Sequence, residues 1–307
     1  AMLNVGNIRA ASSRSRIFLA KMLLLGSLIT LFVVFCVSTD GAVAVPESIN
    51  AASTTVTAPS SSPFIEFSTD TKLWMVRIHG IMMVIPWFSL IPSAMLAARY
   101  LRIEWRAHKP GGLQIWFHIH RSLNWFSLPL LIVSTLLVIA AKGFKWTGPY
   151  PGKNPQKQFG PGSLHSLVGA IALVGVVLQF VFALNRPSPQ SNNRPYFNLI
   201  HRSIGVISQL FAVAAIIFAS TSFLKYWKYQ VFAVVLTIIA PVLILTTVIV
   251  LELQSRRHVK SEIEEIEMSG QTSAIRVESP TNNLKITFFV CSLIFFVISI
   301  AISVQLI

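Results

Sequence analysis

Charged residues are scarce in this chain. Asp, Glu, Lys and Arg make up 12% of the 307 residues, while hydrophobic residues make up 53%. Soluble proteins carry roughly 25% charged residues, which they need to cover their surface. The scarcity therefore excludes a soluble globular protein. It also leaves no polar segment long enough for a separate catalytic domain, a Rossmann unit or a nucleotide-binding domain.

Acidic residues and cysteines are also few. There are 11 acidic residues against 25 Lys and Arg, a formal net charge of +14. In a soluble chain this excess would suggest a nucleic acid partner. Here most basic residues flank apolar runs, so we expect them to contact membrane lipid, with no nucleic acid partner. Cys36 and Cys291 both lie in apolar runs, which argues against a disulfide framework or a cysteine metal site.

Long apolar runs fill most of the chain after residue 73. Six of them reach about 22 residues or more, enough to cross a ~30 Å hydrocarbon layer as a helix. They lie at 74–98, 115–141, 163–184, 199–220, 229–251 and 286–307. The first contains Pro86 and Pro92, so we expect a kink whose freed carbonyls are satisfied by neighbouring helices. The pattern predicts an all-α, multi-pass membrane protein of the plasma membrane or an endomembrane.

The N-terminal segment 1–44 has the features of a signal peptide. A basic start precedes a short apolar run at 22–37, and the tripeptide Ala-Val-Ala ends at Ala44. This favours cleavage after Ala44 over a retained N-terminal anchor. The following segment, 45–73, is rich in Ser, Thr, Ala and Pro and is predicted to be an extracytoplasmic linker.

Basic residues in the loops predict the orientation of the spans. If residue 73 is outside, the inner loops carry eleven basic residues and the outer loops seven. This is a weak positive-inside bias that agrees with the signal peptide. The segment 252–285 is then a polar cytosolic loop, and 286–307 is a C-terminal transmembrane helix.

Four histidines lie inside four consecutive spans, each within about two turns of its helix N-terminus. They are His79, His120, His165 and His201. Consecutive spans run in opposite directions, so His79 and His165 fall near the outer face of the membrane. His120 and His201 fall near the inner face. The sequence therefore predicts two pairs of histidines, each pair drawn from alternate helices.

Paired histidines at matching depth are typical of haem ligands. A single intramembrane histidine is more often a hydrogen-bonded core residue, but packing gives no reason for one per helix at alternating faces. Two bis-histidine sites do, because a haem iron accepts one imidazole from each side of the ring. His118 competes with His120, and on a helix the two point about 200° apart, so only one can face the site. Position alone does not choose between them.

Arginines near the histidines are candidates to bind the haem propionates, since guanidinium groups bind carboxylates in bidentate fashion. They are Arg77, Arg121 and Arg202. Snorkelling to lipid phosphate explains these arginines equally well. Arg99 and Arg102, at the inner end of the first span, are candidates to hold an anionic electron donor.

Around these histidines the chain resembles the cytochrome b561 / ferric reductase transmembrane family. The motifs are HGIMMVIPWFSLIPSAMLAARYLR from His79, WFHIHRSLN from Trp116, SLHSLVG from Ser163 and RPYFNLIHRSIG from Arg194. Each is similar to the family's motif in the same order along the chain, and the resemblance covers about residues 74–251. The family's Trp-Phe-x-x-His pattern selects His120 over His118.

The resemblance implies a four-helix core plus two additional spans. It also implies that the core binds two haem b groups, one held by the first and third histidines and one by the second and fourth. It also implies an oxidoreductase that transfers electrons across the membrane, typically from cytosolic ascorbate to a ferric chelate or monodehydroascorbate outside. Many members carry a DOMON domain, which we do not expect within these residues. Leu167 stands where the family has a Trp associated with the outer substrate, which leaves the acceptor open. A homodimer is kept as a candidate assembly.

The main alternative is a transporter or a proton- or metal-conducting protein that uses the intramembrane histidines. Such a relay should place polar groups through the middle of the membrane. The third span has no polar side chain across 170–178, and the second has only Ser134 and Thr135 across 130–139. This apolar gap favours electron transfer between two separate centres over proton passage.

Overall fold

The chain folds as a bundle of long helices. A computed structural model describes residues 67–103, 109–188, 190–269 and 282–307. The predicted signal peptide and residues 45–66 of the predicted linker lie outside the described residues. The last five residues of the predicted linker belong to the first helix, which begins at Thr69. Within the described ranges there is no β-strand, and six helices are long and apolar enough to cross a membrane. The predicted all-α, multi-pass bundle is therefore confirmed.

The six spans follow the predicted apolar runs. Their bounds are Thr69–Tyr100, Ile115–Ala141, Pro161–Leu184, Arg194–Ser222, Gln230–Arg257 and Asn283–Val304. The fifth helix continues beyond its span to Ser269, so the first part of the segment predicted as a polar loop is helical. A short helix, Pro155–Gln158, lies in the loop between the second and third spans.

The first span forms the centre of the bundle and is interrupted by a π-helical turn. Its α-helix Thr69–Ile85 passes into the π-helical turn Pro86–Leu90 and resumes as Ile91–Tyr100. Trp87 and Phe88, in the interruption, are 3% and 1% exposed. The second, fifth and sixth spans pack against the first span. The third and fourth spans pack extensively against each other.

A partner from another helix satisfies the carbonyl that the interruption leaves free. The N–H of Ile91 bonds to Pro86 O, and Pro92 has no N–H, so Trp87 O lacks a donor within its own helix. The buried Gln209 of the fourth span donates from Nε2 to Trp87 O at 2.8 Å. The expected satisfaction of a freed carbonyl by a neighbouring helix is thus found at Trp87.

The third and fourth spans approach each other closely because a glycine lies at their contact. A Cβ added at Gly175 would overlap the Oγ of Ser208 on the fourth span. Proline within the first turn of each helix suits a helix start, since its missing N–H has no intrahelical partner there. This close pair carries two of the four site histidines.

Candidate functional site

The histidine pair predicted to lie near the outer face, called the outer pair, joins the first and third spans. The ring centres of His79 and His165 lie 6.4 Å apart, and the ring planes are inclined by 81°. The two helices bring together side chains 86 residues apart in the sequence. Both residues belong to the pair that depth and helix direction predict.

The inner histidine pair joins the second and fourth spans with nearly the same geometry. The ring centres of His120 and His201 lie 6.3 Å apart, with ring planes inclined by 66°. His118 is not part of this pair, since its Nε2 lies 2.9 Å from Pro110 O in the preceding loop. The structure therefore brings His120, and not His118, to His201.

The separation within each pair fits a metal held between two imidazoles. Two such rings on opposite sides of one metal have centres about 6 Å apart, because each metal–nitrogen bond is about 2 Å long. Among the described residues, no group of three or more His, Cys, Asp or Glu is gathered around a metal-sized space. The donor set is thus two separate imidazole pairs, which is the ligand set of a bis-histidine haem.

The two pairs lie at different depths in the bundle. Along the first span, His79 is 15 residues from Ala94, whose carbonyl contacts His120. Along the fourth span, His201 is 14 residues from Ala215, whose carbonyl contacts His165. At ~1.5 Å rise per residue, both intervals are about 20 Å along the bundle.

Backbone carbonyls orient three of the four rings. The Nδ1 atoms of His79, His120 and His165 lie 3.0, 2.9 and 2.9 Å from Ser134 O, Ala94 O and Ala215 O. A carbonyl oxygen only accepts, so in each ring Nδ1 carries the proton and Nε2 is left as the ligand atom. The fourth ring differs, because the buried Nδ1 of His201 has no hydrogen-bond partner in the described part of the chain.

Aromatic and amide side chains complete the surroundings of the rings. Phe197 stacks on His201 with centres 5.6 Å apart, and Phe223 meets the edge of His165 at 5.4 Å. Asn124 Nδ2 donates to His120 O at 2.7 Å, and Gln179 Nε2 donates to His201 O at 2.6 Å.

Sequence reasoning did not identify these side chains as part of the site. Asn124 and Phe197 lie four residues from a site histidine on the same helix, a spacing that could have identified them. Gln179 and Phe223 come from other segments of the chain than the histidines they contact, and no local signal marks them.

Arginines gather at the inner end of the bundle. We use the name inner arginine cluster for Arg102, Arg186, Arg194 and Arg202. Aromatic rings support three of them: Arg102 lies 5.1 Å from the Trp116 ring centre, Arg186 4.5 Å from that of Phe117, and Arg194 5.6 Å from that of Phe197.

The members of the inner arginine cluster repel one another. Partial burial, and then the nearby Arg202, lower the pKa of Arg102. Partial burial, and then Arg194, lower the pKa of Arg186. Such mutual repulsion is relieved when an anion binds among the guanidinium groups.

The other predicted arginines have different surroundings. Arg99 Nη2 lies 3.2 Å from Oε2 of Glu252, a carboxylate that is 1% exposed and also accepts from Tyr100. This ion pair ties the first span to the fifth. Arg77 lies over the ring of Trp74 at 5.3 Å, and Arg121 is exposed.

A family model matches the part of the chain that contains both pairs. The model describes eukaryotic cytochrome b561, and it covers residues 78–227, which include all four histidines. Over these residues, just under half of the chain, the sequence matches the cytochrome b561 family. The family implies haem b as a cofactor, and the two imidazole pairs fit that group.

Curated relatives each match about half of the chain. The chain is 29% identical over 145 residues to ferric-chelate reductase 1 of Bos taurus, which is 47% of this chain and 22% of that protein. It is 30% identical over 179 residues to a cytochrome b561 and DOMON domain-containing protein of Arabidopsis thaliana, 56% of this chain and 40% of that protein. The chain thus spans less than half the length of either relative. No solved structure matches the chain at a significant level.

Proposed function

We propose that this chain carries electrons across a membrane through two haem b groups, one held by His79 and His165 and the other by His120 and His201. The observation that carries the proposal is the repeated geometry of two imidazole pairs, with ring centres 6.4 and 6.3 Å apart. When bound, haem b supplies the one-electron redox chemistry that amino-acid side chains do not provide.

The protein residues have binding and positioning roles in this proposal. The Nε2 atoms of His79, His120 and His165, together with a ring nitrogen of His201, would hold the haem irons. The carbonyls of Ser134, Ala94 and Ala215 orient three of these rings. Arg77, Arg121 and Arg202 are proposed to bind propionates. The stretch 170–178 of the third span offers no polar side chain for proton passage between the two depths.

Ascorbate is the proposed electron donor, at the inner end of the bundle. Ascorbate is an anion, and the inner arginine cluster concentrates positive charge near His120 and His201. Arg102 is proposed to contact the donor directly. Arg99 is proposed to contribute positive charge there while its contact with Glu252 fixes its position.

A ferric chelate is the proposed acceptor at the outer end, with monodehydroascorbate as a second substrate. Support for a ferric chelate comes from the relatives of this chain, which include ferric-chelate reductase 1 of Bos taurus. Exposed lysines of the outer loop, such as Lys142 and Lys145, favour the approach of an anionic chelate. The acceptor would meet the end of the bundle that holds His79 and His165.

Purified protein tests the proposal directly. The haem content should be two per chain, and a reduced-minus-oxidised absorption spectrum should show b-type bands that appear on titration with ascorbate. A protein that is colourless after expression with ample haem supply would contradict the proposal. Dithionite serves as the control reductant, because it reports total haem whatever the donor.

A further inference from the structure

A buried carboxylate lies between two guanidinium groups at the inner end of the bundle. Glu252 of the fifth span is 1% exposed. Its Oε2 accepts from Arg99 Nη2 at 3.2 Å and from the hydroxyl of Tyr100 at 3.3 Å, and its Oε1 accepts from Arg256 Nε at 3.2 Å. We use the name Glu252 triad for Glu252, Arg99 and Arg256. Two guanidinium groups and one carboxylate leave the triad with one net positive charge.

Stability alone is a weak explanation of the Glu252 triad. The attraction within a buried ion pair is largely offset by the cost of removing the charges from water, so such pairs contribute little net stability. Ionisable side chains within membrane spans are costly, and they commonly serve function. The side chains of Arg99 and Arg256 are 29% and 26% exposed, so the triad reaches the surface of the bundle at its inner end. Its charge can therefore act on a ligand that binds there.

The Glu252 triad adjoins the proposed donor site. Arg99 and Arg102 are three residues apart at the end of the first span, which makes them neighbours on the helix surface. Arg99 also acts electrostatically on Arg102 and on Arg202, two members of the inner arginine cluster. An anionic donor at Arg102 therefore meets the summed field of the cluster and the triad. Within that sum, the carboxylate of Glu252 opposes the attraction.

We infer that Glu252 limits the affinity of the inner end for its anionic donor, by offsetting one of the two guanidinium charges that lie beside the donor site. The inference rests on the proposed function, since it presupposes an anionic donor at Arg102. In it, Glu252 is a positioning residue that acts through Arg99 and touches neither the donor nor a haem. The charge of the triad then sets how strongly the site prefers an anionic donor to an uncharged one.

Two substitutions break the same ion pair and change its charge in opposite directions. Glu252→Gln raises the net positive charge of the triad by one, and Arg256→Gln lowers it by one. We expect the half-saturating ascorbate concentration to fall about threefold in Glu252→Gln and to rise about threefold in Arg256→Gln, the effect of one unit charge acting through about 6 Å of water. A merely structural role would move both variants in the same direction, because both lose the same contact.

Stopped-flow absorbance of the purified, haem-containing protein measures this effect. The rate of haem reduction is followed at rising ascorbate concentrations, which separates the half-saturating concentration from the maximal rate. The maximal rate should change less. The same titration with duroquinol, an uncharged hydroquinone, should give equal values in all variants. The differences for ascorbate should shrink between about 0.01 M and about 1 M salt, because salt screens exposed charges.

A double variant and a matched control complete the set. Glu252→Gln combined with Arg256→Gln restores the net charge of the triad and should return the half-saturating ascorbate concentration to nearly its unmodified value. Thr287→Val removes a neutral hydrogen bond between the fifth and sixth spans, which Gln254 Nε2 donates at 3.0 Å, and it should shift nothing. If Glu252→Gln alone does not fold, the rise in Arg256→Gln and its absence with duroquinol still decide the question.

Failure of this inference is distinguishable from failure of the proposed function. Shifts in the same direction in both single variants, equal shifts with duroquinol, or no shift would overturn the inference and leave the electron-transfer proposal standing. An unmodified protein that dithionite reduces and ascorbate does not would contradict the proposed donor, and the inference falls with it. Dithionite reduction of each sample reports its haem content, so that loss of haem is not mistaken for loss of affinity.

Discussion

At the residue scale, each oriented histidine depends on a backbone carbonyl that another helix presents. His120 depends on Ala94 of the first span, and His165 depends on Ala215 of the fourth. The histidines could be predicted because an ionisable residue inside an apolar run stands out. Their partners could not, because any residue type has a carbonyl and only packing decides which one faces a ring.

Loss of one ligand should empty one site and spare the other. For His120→Ala we expect haem content to fall from two to one per chain, because His79 and His165 belong to different helices. The measurement is haem per protein together with the absorption spectrum.

The matched control is His118→Ala, which alters a ring bonded to the loop carbonyl of Pro110 and should leave haem content nearly unchanged. Equal loss of both haems in the His120 variant would argue against two independent sites.

The inner arginine cluster yields a kinetic prediction. Arg102→Gln should raise KM for ascorbate about tenfold and change kcat less, since a charge-assisted hydrogen bond contributes about 1.5–3 kcal/mol. Initial rates of ferric-chelate reduction at varied ascorbate concentrations measure both constants.

Arg257→Gln is the control for this change, because Arg257 is an exposed arginine outside the cluster. An unchanged KM in the Arg102 variant would exclude Arg102 from the donor site.

At the element scale, the first span contains a π-helical turn whose residues are closely packed in the bundle. Pro86 and Pro92 made an irregular helix predictable, because each removes a backbone donor. The π-helical form of the break and its partner Gln209 were not predictable, since Gln209 lies 122 residues away on the fourth span. The hydrogen bond links the two spans about midway between the histidine pairs.

Removal of that link should destabilise the bundle modestly. In Gln209→Leu, Trp87 O loses its donor, and we expect a loss of about 1–2 kcal/mol, since hydrogen bonds between membrane helices contribute little more. Loss of haem absorbance on heating in detergent would report the lowered Tm.

Thr246→Val provides a comparison, because it removes a hydroxyl that is exposed on the fifth span and bonds only within its own helix. Equal Tm values for the two variants would show that the link contributes nothing to stability.

At the scale of the whole molecule, two centres at different depths define a direction across the membrane. The apolar runs and the alternating helix directions predicted this placement. Consecutive spans cross the bilayer in opposite directions, so histidines near the N-termini of neighbouring helices fall at opposite faces of the membrane. The helical intervals of about 20 Å agree with that placement. The packing of the fifth and sixth spans against the first was not predictable, because they carry no site residue.

Vesicles should reveal transfer across the whole molecule. Proteoliposomes loaded with ascorbate should reduce an impermeant ferric chelate outside, because protein molecules inserted with their inner end toward the lumen connect the two compartments. Reduction of the external chelate, followed by absorbance, is the measurement.

Substitution of either His79 or His120 by Ala should abolish this transfer, because one centre alone does not connect the two faces. Empty vesicles give the background rate. Transfer at the full rate in either variant would contradict the two-centre path.

The sequence by itself determined the membrane class, the number and approximate positions of the spans, and the two histidine pairs. These features follow from hydrophobic length and helix direction, which are local properties of a chain in a bilayer. Only the tertiary structure decided which oxygen faces each ring, that His201 has no such partner among the described residues, and that Gln209 satisfies Trp87. Those contacts join residues far apart in sequence, and their formation depends on how the helices pack rather than on any pattern within one of them.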